Sequence, residues 1–312
     1  MKLVIAGASG YIGRALVHLS VECGHQVLML VRRRCEELRP YGEQACISDA
    51  RGLTGSTADA LINVAGAAHI AKSIADFDFA NRQLPLQLAA SVLDGKIGRL
   101  IHLSSLSVFG SWSVRPINEM SAPSPTTPYA QSKLEADQQL TALFGPNGKR
   151  LTIIRAPMVY GAACPGNFLC LCRLVSSGAP LPFGAAHARR SFIFVKNLAD
   201  FLLRCAEPNR PGGVFVVGDG SDYSVIELID WINSAYGKGT KNIAVPIYFL
   251  RIFSVIPGLS RTLDSLTRPM LVDWQRARTL MDWKPPVSRS DAMTATLSRL
   301  GASKNLRLAR PW

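Results

Sequence analysis

The stretch "KLVIAGASGYIGRALVHLS" at residues 2–20 decides the fold prediction. An apolar run leads directly into "GASGYIG" (7–13), and apolar residues then recur with helical spacing towards Gly24. Glycines between a strand and a helix let the chain turn tightly and bring backbone N–H groups close to a pyrophosphate. A glycine triplet alone is a weak signal, but this context favours a nucleotide-binding loop over an incidental turn.

Strand-like and helix-like segments alternate from this loop to about residue 160. The strands are predicted at 25–31, 60–66, 98–105 and 150–161, and helices at 11–24, 79–95 and 129–144. This alternation predicts an α/β fold, a Rossmann-type doubly wound parallel sheet with a smaller α/β C-terminal substrate lobe. Residues 1–161, with about 193–217, are predicted to form the nucleotide-binding domain. Residues from about 162–192 and 218–312 are predicted to form the lobe.

The charge balance favours anionic partners. The chain has 35 Lys and Arg against 22 Asp and Glu, a net charge of +13. Excess positive charge attracts anions, but the basic residues are scattered and no nucleic-acid motif accompanies them. We therefore expect a phosphorylated small molecule and no nucleic acid.

The cysteines and apolar segments indicate the compartment. Seven Cys without a disulfide-like pattern fit a reducing cytosol, and no leader-like segment or 18-residue apolar run is seen. We expect a cytoplasmic protein. Cys164, Cys170 and Cys172 lie close in sequence without a nearby His, so no metal site is predicted. The apolar segment 243–259 is interpreted as lobe core, with peripheral membrane contact as the alternative.

A tyrosine and a lysine stand one helical turn apart in "YAQSK". Tyr129 and Lys133 share one face of the predicted helix. A nearby ammonium favours the phenolate, so such a tyrosine can exchange a proton with a substrate. Taken alone, the pair is more typical of a helix surface. Two serines, Ser104 and Ser105, end a predicted strand, where ligands bind in open α/β sheets, and this placement favours the catalytic interpretation.

With these motifs together, the sequence resembles the extended short-chain dehydrogenase/reductases of the NAD-dependent epimerase/dehydratase family. Within it, the chain most resembles 4-keto-6-deoxy-hexosamine nucleotide reductases and UDP-sugar 4-epimerases. The resemblance covers nearly the whole chain. Its motifs are "GASGYIG", "NVAG" (63–66), "SSLSVFG" (104–110), "PYAQSK" (128–133), "IIRAPMVYG" (153–161), "RRSFIFVKNLAD" (189–200) and "LVDWQRARTLMDWKPP" (271–286).

The resemblance implies a role for each matching residue. Tyr129 would be the acid/base, Lys133 its tuner and a ribose ligand, and Ser105 the hydroxyl that holds the reacting oxygen. Arg190 would hold the diphosphate of a sugar nucleotide, with Asn167 as a weaker substrate contact; the alternative for Arg189 and Arg190 is a solvated turn. Besides Lys133, the implied cofactor contacts are Gly7, Ser9, Gly10, Tyr11, Ile12, Gly13, Asp49, Ala50, Val64, Ala65, Gly66, Ser104 and Pro157.

Arginines follow the second predicted strand, in "LMLVRRRCEE" (29–38). NAD-binding folds commonly place a carboxylate there for the ribose 2′-OH, whereas here Val31 is followed by Arg32 and Arg33. A guanidinium can bind a 2′-phosphate bidentately. We therefore expect NADP(H), with NAD(H) as the alternative; the simpler interpretation is that the arginines only solvate a strand end.

The resemblance also indicates which of the family's reactions to expect. A 4,6-dehydratase is disfavoured because Leu106 and Ser107 stand where those enzymes carry an Asp–Glu pair. Because an epimerase recycles its cofactor and a reductase consumes NADPH, the arginines favour a 4-keto-sugar nucleotide reductase in surface polysaccharide biosynthesis. A UDP-sugar 4-epimerase and a non-catalytic NADP(H)-binding regulatory protein remain alternatives. The family often forms homodimers, and a lipid-linked substrate is a further alternative.

Overall fold

Ten β-strands in two sheets organise the part of the chain that the structure describes. This computed structural model describes residues 1–47, 57–67, 74–145, 148–162, 164–237, 239–246, 248–249, 264 and 266–302. The strands are β1 (Lys2–Ala6), β2 (Gln26–Val31), β3 (Glu43–Cys46), β4 (Ala58–Asn63), β5 (Ile97–Ser105), β6 (Leu151–Ala156), β7 (Met158–Tyr160), β8 (Arg189–Phe194), β9 (Gly213–Val216) and β10 (Ser221–Ser224).

Seven of these strands form one parallel sheet in the order β3-β2-β1-β4-β5-β6-β9. The order reverses direction between β1 and β4, which is the position where open α/β sheets bind ligands. The predicted Rossmann-type doubly wound parallel sheet is confirmed.

The helices between the strands cover both faces of the large sheet. The α-helices are α1 (Tyr11–Glu22), α2 (Ile74–Asp78), α3 (Leu84–Leu93), α4 (Pro128–Phe144), α5 (Asn167–Ser176), α6 (Val195–Ala206), α7 (Val225–Tyr236), α8 (Gln275–Leu280) and α9 (Arg289–Ala302). None of the helices described is long and apolar enough to cross a membrane.

Alternation along β1 shows how the two faces are filled. Leu3 and Ile5 belong to a core cluster with α1 and α6, whereas Val4 and Ala6 belong to a second cluster with α3 and α4. Successive side chains of a strand point to opposite faces, so a strand buried on both faces must be apolar throughout. This requirement explains the continuous apolar run before the glycine loop.

The second sheet is small and begins immediately after the first. Its strand order is β10-β8-β7, and a single residue, Pro157, separates β6 from β7. The predicted single strand at 150–161 is therefore wrong: proline lacks the N–H that a continuous ladder requires. Residues 158–160 belong to the small sheet, just before the predicted domain boundary at 161. The division into two domains remains a prediction.

The helix predicted at 79–95 also differs in detail. The helical segment begins at Ile74, and a π-helical turn at Phe79–Gln83 precedes α3. π-Helical turns occur frequently at functional sites, and this one carries Asn81, which is completely buried.

Candidate active site

The carboxyl end of β5 extends beyond its neighbour β4. The last β4–β5 pair is Asn63 with His102, whereas pairing with β6 continues to Ser105. On the β4 side, backbone groups after His102 are therefore available to other partners. The Lys133 ammonium takes one of them, donating to the Leu103 carbonyl at 2.9 Å.

Ser105 ends β5 and begins the 3-10 turn Leu106–Phe109. Its hydroxyl oxygen accepts a hydrogen bond from the Ser107 N–H at 3.2 Å and another from the Ser107 hydroxyl at 2.9 Å. Gly110 closes the turn with a φ of 104°, a backbone conformation that other residues rarely adopt. The sequence "SSLSVFG" thus forms a tight turn that holds Ser105 at the sheet edge.

Tyr129 lies in the first turn of α4. Thr127 caps this helix by accepting a hydrogen bond from the Ala130 N–H at 3.0 Å, and Pro128 is suited to the first helical position. The cap fixes where the helix starts and hence where the phenol lies. Ser105 is close enough for its hydroxyl to hydrogen-bond that phenol, so the structure brings together Ser105, Tyr129 and Lys133.

The electrostatic state of the pair differs from the expectation. Dense packing raises the pKa of Tyr129, the hydrogen bond with Ser105 lowers it, and the Asp137 charge raises it. Burial lowers the pKa of Lys133 to about 8, against the attraction of Asp137. The expected lowering of the tyrosine pKa by Lys133 is not seen, because desolvation dominates and the ammonium is bonded to Leu103.

A buried ion pair supports the α4 helix beneath these residues. Asp137 lies one turn beyond Lys133, and its carboxylate accepts a hydrogen bond from the Arg155 guanidinium at 2.9 Å. The Arg155 guanidinium also stacks on the Phe109 ring, 5.0 Å from its centroid. Arg155 belongs to β6, and Phe109 belongs to the 3-10 turn Leu106–Phe109 that follows Ser105, called the serine turn below. The ion pair therefore connects α4, the sheet and this turn.

Two buried asparagines organise the segment after β4. Asn63 accepts from the Ala65 N–H at 3.1 Å, and its amide contacts the ring of His102 at 3.1 Å. Burial holds the pKa of His102 well below its usual range, so this ring is neutral. Asn81 accepts from the Ala67 N–H at 2.9 Å and donates to the Ser132 hydroxyl at 3.1 Å on α4.

The glycine loop packs tightly against this same segment. A Cβ on Gly7 would lie 2.6 Å from the Ala65 nitrogen, and one on Gly13 would overlap the Gly7 carbonyl oxygen. Gly66 faces the Lys133 ammonium, since its Cβ would lie 3.3 Å from the Nζ atom. The structure therefore brings together the predicted cofactor residues Gly7, Ser9, Gly10, Tyr11, Ile12, Gly13, Val64, Ala65 and Gly66 at the strand-order reversal.

The remaining cofactor predictions have different outcomes. Arg32 and Arg33 follow β2 and are exposed, and neither side chain makes a hydrogen bond or ion pair within the described ranges. Ser104 and Pro157 are both buried, and Ser104 lies beside Asp137, on the opposite face of β5 from Ser105. Asp49 and Ala50 lie outside the described residues.

The arginines of the predicted substrate contact are not in a solvated turn. Both belong to β8, where Arg189 forms an ion pair with Glu227 at 2.9 Å. Arg190 donates to the backbone carbonyls of Ser111 and Arg268 at 2.9 and 3.0 Å, and burial lowers its pKa to about 10. The alternative of a solvated turn is therefore wrong. Asn167 is the first residue of α5.

The interpretation of the sequence missed Asn81 and the Asp137–Arg155 pair. Asn81 carried a weak signal, as a polar residue beside an apolar helical run. Asp137 continues the spacing of Tyr129 and Lys133 by one more turn, so its position on the same helical face was available from the sequence.

Comparisons with known proteins identify the family of the chain. The family model "NAD dependent epimerase/dehydratase family" matches residues 3–218. A UDP-glucose 4-epimerase of Vibrio cholerae is 30% identical over 309 residues, covering 95% of this chain and 94% of the relative. A GDP-6-deoxy-D-mannose reductase of Pseudomonas aeruginosa is 25% identical over 253 residues, covering 73% of this chain and 78% of the relative.

Solved structures agree on the fold. The crystal structure of UDP-glucuronic acid 4-epimerase from Bacillus cereus in complex with NAD has a TM-score of 0.78 at 20% identity, covering 98% of this chain and all of that one. A likeness at this identity shows the fold, and the family match rests on the sequence. The chain belongs to the NAD dependent epimerase/dehydratase family of enzymes.

Proposed function

We propose that this protein is an oxidoreductase of nucleotide-activated sugars, and that its reaction is the NADPH-dependent reduction of a 4-keto-sugar nucleotide. The observation that carries the proposal is the convergence of Ser105, Tyr129 and Lys133 beside the glycine loop. The UDP-glucose 4-epimerase and the GDP-6-deoxy-D-mannose reductase among the relatives support a sugar-nucleotide substrate.

The cofactor fits the residues of the loop. Gly10 lies directly before α1 and has no side chain that could bond the first backbone N–H groups of the helix. The first turn of α1 carries no acidic residue. The close approach of Gly7 and Gly13 to backbone atoms leaves no space for side chains. Backbone donors at a helix N-terminus with no competing carboxylate suit a pyrophosphate.

The protein's part in the chemistry is proton transfer and orientation. A nicotinamide cofactor, when bound, would supply the hydride for reduction of the C4 carbonyl. Tyr129 donates its proton to the C4 oxygen, so that a carbonyl becomes a secondary alcohol, and the phenol regains a proton from solvent. Ser105 donates a hydrogen bond to the same oxygen. The Lys133 ammonium, which faces Gly66, would hold the cofactor ribose. A raised tyrosine pKa keeps the phenol protonated before transfer.

The exposed arginines support NADP(H) over NAD(H). Arg32 and Arg33 follow directly on β2, and the backbone of Gly7 is bonded to Leu30 in that strand at 3.0 Å. Two exposed guanidiniums at the end of the strand that borders the glycine loop suit a 2′-phosphate, which a carboxylate would repel. NADPH is the form that a net reductase consumes.

A 4-epimerase is the second candidate, and one observation favours it. The 30% identity to the Vibrio cholerae UDP-glucose 4-epimerase extends over nearly the whole of both chains. Reductase and epimerase use the same serine, tyrosine and lysine, so those residues do not distinguish the two reactions. Cofactor consumption does.

The substrate nucleotide is proposed to bind along the small sheet. Arg190 of β8 lies near the serine turn, since its guanidinium is bonded to Ser111, and Asn167 begins α5. We propose that the Arg190 guanidinium binds the diphosphate of the sugar nucleotide. Replacing Arg190 would also remove its two bonds to backbone carbonyls, so binding and folding must be measured together.

The test is incubation with a panel of sugar nucleotides. The purified protein is mixed with NADPH or NADH and a UDP-4-keto-6-deoxy-N-acetylhexosamine, and separately with NAD and UDP-glucose or UDP-N-acetylglucosamine. Loss of absorbance at 340 nm with one equivalent of hydroxy-sugar formed establishes a reductase. Interconversion without cofactor consumption establishes an epimerase. Cofactor binding without turnover across the panel would overturn both in favour of a regulatory NADP(H)-binding protein.

A further inference from the structure

The hydroxyl of Ser105 has both of its acceptor positions occupied. One bond comes from the Ser107 N–H at 3.2 Å, and the other from the Ser107 hydroxyl at 2.9 Å. A serine hydroxyl has one O–H donor and two acceptor lone pairs. With both lone pairs engaged, the O–H is the group of Ser105 that remains for donation, and it faces the Tyr129 phenol, beside which the reacting oxygen is proposed to bind.

We propose that Ser107 is a positioning residue that holds Ser105 as a hydrogen-bond donor to the reacting oxygen. The inference rests on the proposed function, because it concerns the same site. Hydrogen bonds then run in one direction, from Ser107 to Ser105 and from Ser105 to the substrate oxygen beside Tyr129. Without the Ser107 hydroxyl, the Ser105 hydroxyl can rotate and donate elsewhere, so fewer molecules have a donor facing the oxygen when negative charge develops.

The Ser105 hydroxyl accepts a second hydrogen bond, from the Ser107 backbone N–H, which does not depend on the Ser107 hydroxyl. The bond from the Ser107 N–H caps the 3-10 turn Leu106–Phe109 and survives any substitution that retains the backbone. Replacing Ser107 by alanine therefore removes only the hydroxyl contact. This separation makes the positioning role testable without breaking the turn.

Position 107 also bears on the choice of reaction. In the dehydratase pattern, the second acid of an Asp–Glu pair stands here, whereas this chain has a serine whose hydroxyl is directed to Ser105. A carboxylate in this position could only accept a hydrogen bond, so it would compete for the Ser105 proton. Serine or threonine supports donation by Ser105, and glutamate opposes it.

The experiment compares Ser107→Ala, Ser107→Thr and Ser105→Ala with the unaltered protein on the sugar nucleotide that turns over in the panel. Removing a hydrogen-bond donor aimed at a developing oxyanion costs about 10²–10³ in kcat, and we expect Ser105→Ala in this range. Ser107→Ala should lose about tenfold in kcat, since the donor stays but is no longer oriented, with KM unchanged. Ser107→Thr, which keeps the hydroxyl, should restore kcat to within about twofold.

The double variant is decisive. If Ser107 acts through Ser105, adding Ser107→Ala to Ser105→Ala should change kcat by less than about twofold, because residues acting as a unit are non-additive. Ser113→Ala is the matched control, since Ser113 lies on the following loop and its hydroxyl bonds the Arg115 carbonyl at 2.7 Å. It should leave kcat unchanged. The melting temperature of every variant should stay within about 2 °C.

Each outcome bears on a different statement. Unchanged kcat in Ser107→Ala, while Ser105→Ala and Tyr129→Phe are slow, overturns the role of Ser107 and leaves the proposed function intact. Equal tenfold losses in the unaltered and Ser105→Ala backgrounds also overturn it, because Ser107 would then act independently. Full activity in both Ser105→Ala and Tyr129→Phe would instead overturn the proposed function.

Discussion

The two ends of the candidate active site are built differently. Around Tyr129, buried side chains of the π turn and α4 are bonded to neighbouring elements: Asn81 to Ser132 of α4, Lys133 to the Leu103 carbonyl of β5, and Asp137 to Arg155 of β6. At the end of β2, Arg32 and Arg33 are exposed and make no such bonds within the described chain. The reaction end is therefore fixed by packing, whereas the end proposed to select the cofactor carries exposed charges.

This difference predicts which substitutions affect folding. A buried polar network loses stability when one partner is removed, because the other is left unsatisfied. Exposed charges change ligand affinity with little effect on the fold. The two ends can therefore be distinguished by measuring stability and activity on the same variants.

The largest effect is expected at the reaction end. Tyr129→Phe removes the proton donor and should lower kcat by about 10³-fold, since a positioned general acid contributes about 10²–10⁴. Cofactor affinity, measured by fluorescence titration, should remain within about twofold, because the phenol acts on the substrate. A variant with near-normal kcat would contradict the acid role.

The next effect concerns the buried ion pair. Asp137→Ala leaves the Arg155 guanidinium buried without its carboxylate and should lower the free energy of unfolding by about 3–5 kcal/mol. Glu135→Ala on the same helix is the control: its side chain is 39% exposed and lies 3.9 Å from Arg82. That variant should lose at most about 1 kcal/mol. Equal losses in urea unfolding would show that the reaction end is not held by this pair.

The third effect is expected at the exposed end. The double variant Arg32→Ala and Arg33→Ala should weaken NADPH binding by at least about 10²-fold, since each of two charge-assisted bonds contributes about 1.5–3 kcal/mol. NADH binding and the melting temperature should not change. Arg34→Ala, an adjacent arginine to which no role is assigned, serves as the control. Equal losses for NADPH and NADH would rule out contact with a 2′-phosphate.

The smallest effect is a pH dependence at the reaction end. Because the pKa of Lys133 is lowered to about 8, its ammonium is present below that pH and lost above it. The kcat/KM of the reduction should therefore fall above about pH 8, by up to about tenfold for each further pH unit.

Stability should change in the opposite sense over the same range. The unfolded lysine, with a pKa of about 10.4, keeps its proton between about pH 8 and 10, whereas the folded one has lost it. The contribution of Lys133 to the free energy of unfolding therefore rises with pH there. Comparing urea unfolding of the unaltered protein with Lys133→Met isolates this contribution. An alkaline loss of activity that follows unfolding would refute the assignment.

The sequence predicted those parts of the site that are local patterns. "GASGYIG" and "YAQSK" each place their residues through a single turn or helix, so spacing alone decides which side chains lie together. Asn81 reaches Ser132 across 51 residues of chain, and no local pattern encodes that contact. Pro157 is a visible break in the sequence, but the apolar residues on both sides of it favoured the prediction of one continuous strand.

The charge states show a second reason for incomplete prediction. Spacing placed Lys133 beside Tyr129 and suggested a lowered phenol pKa. The structure shows that desolvation, which depends on everything packed around the site, has the larger effect. Burial is a property of the whole fold and cannot be read from two residues.

The single residue between β6 and β7 has a mechanical consequence. Pro157 connects the last residues of one strand to the first of another sheet, and its ring restricts rotation about the N–Cα bond. The fixed φ of Pro157 therefore limits how far the chain can change direction where it passes from the large sheet to the small one.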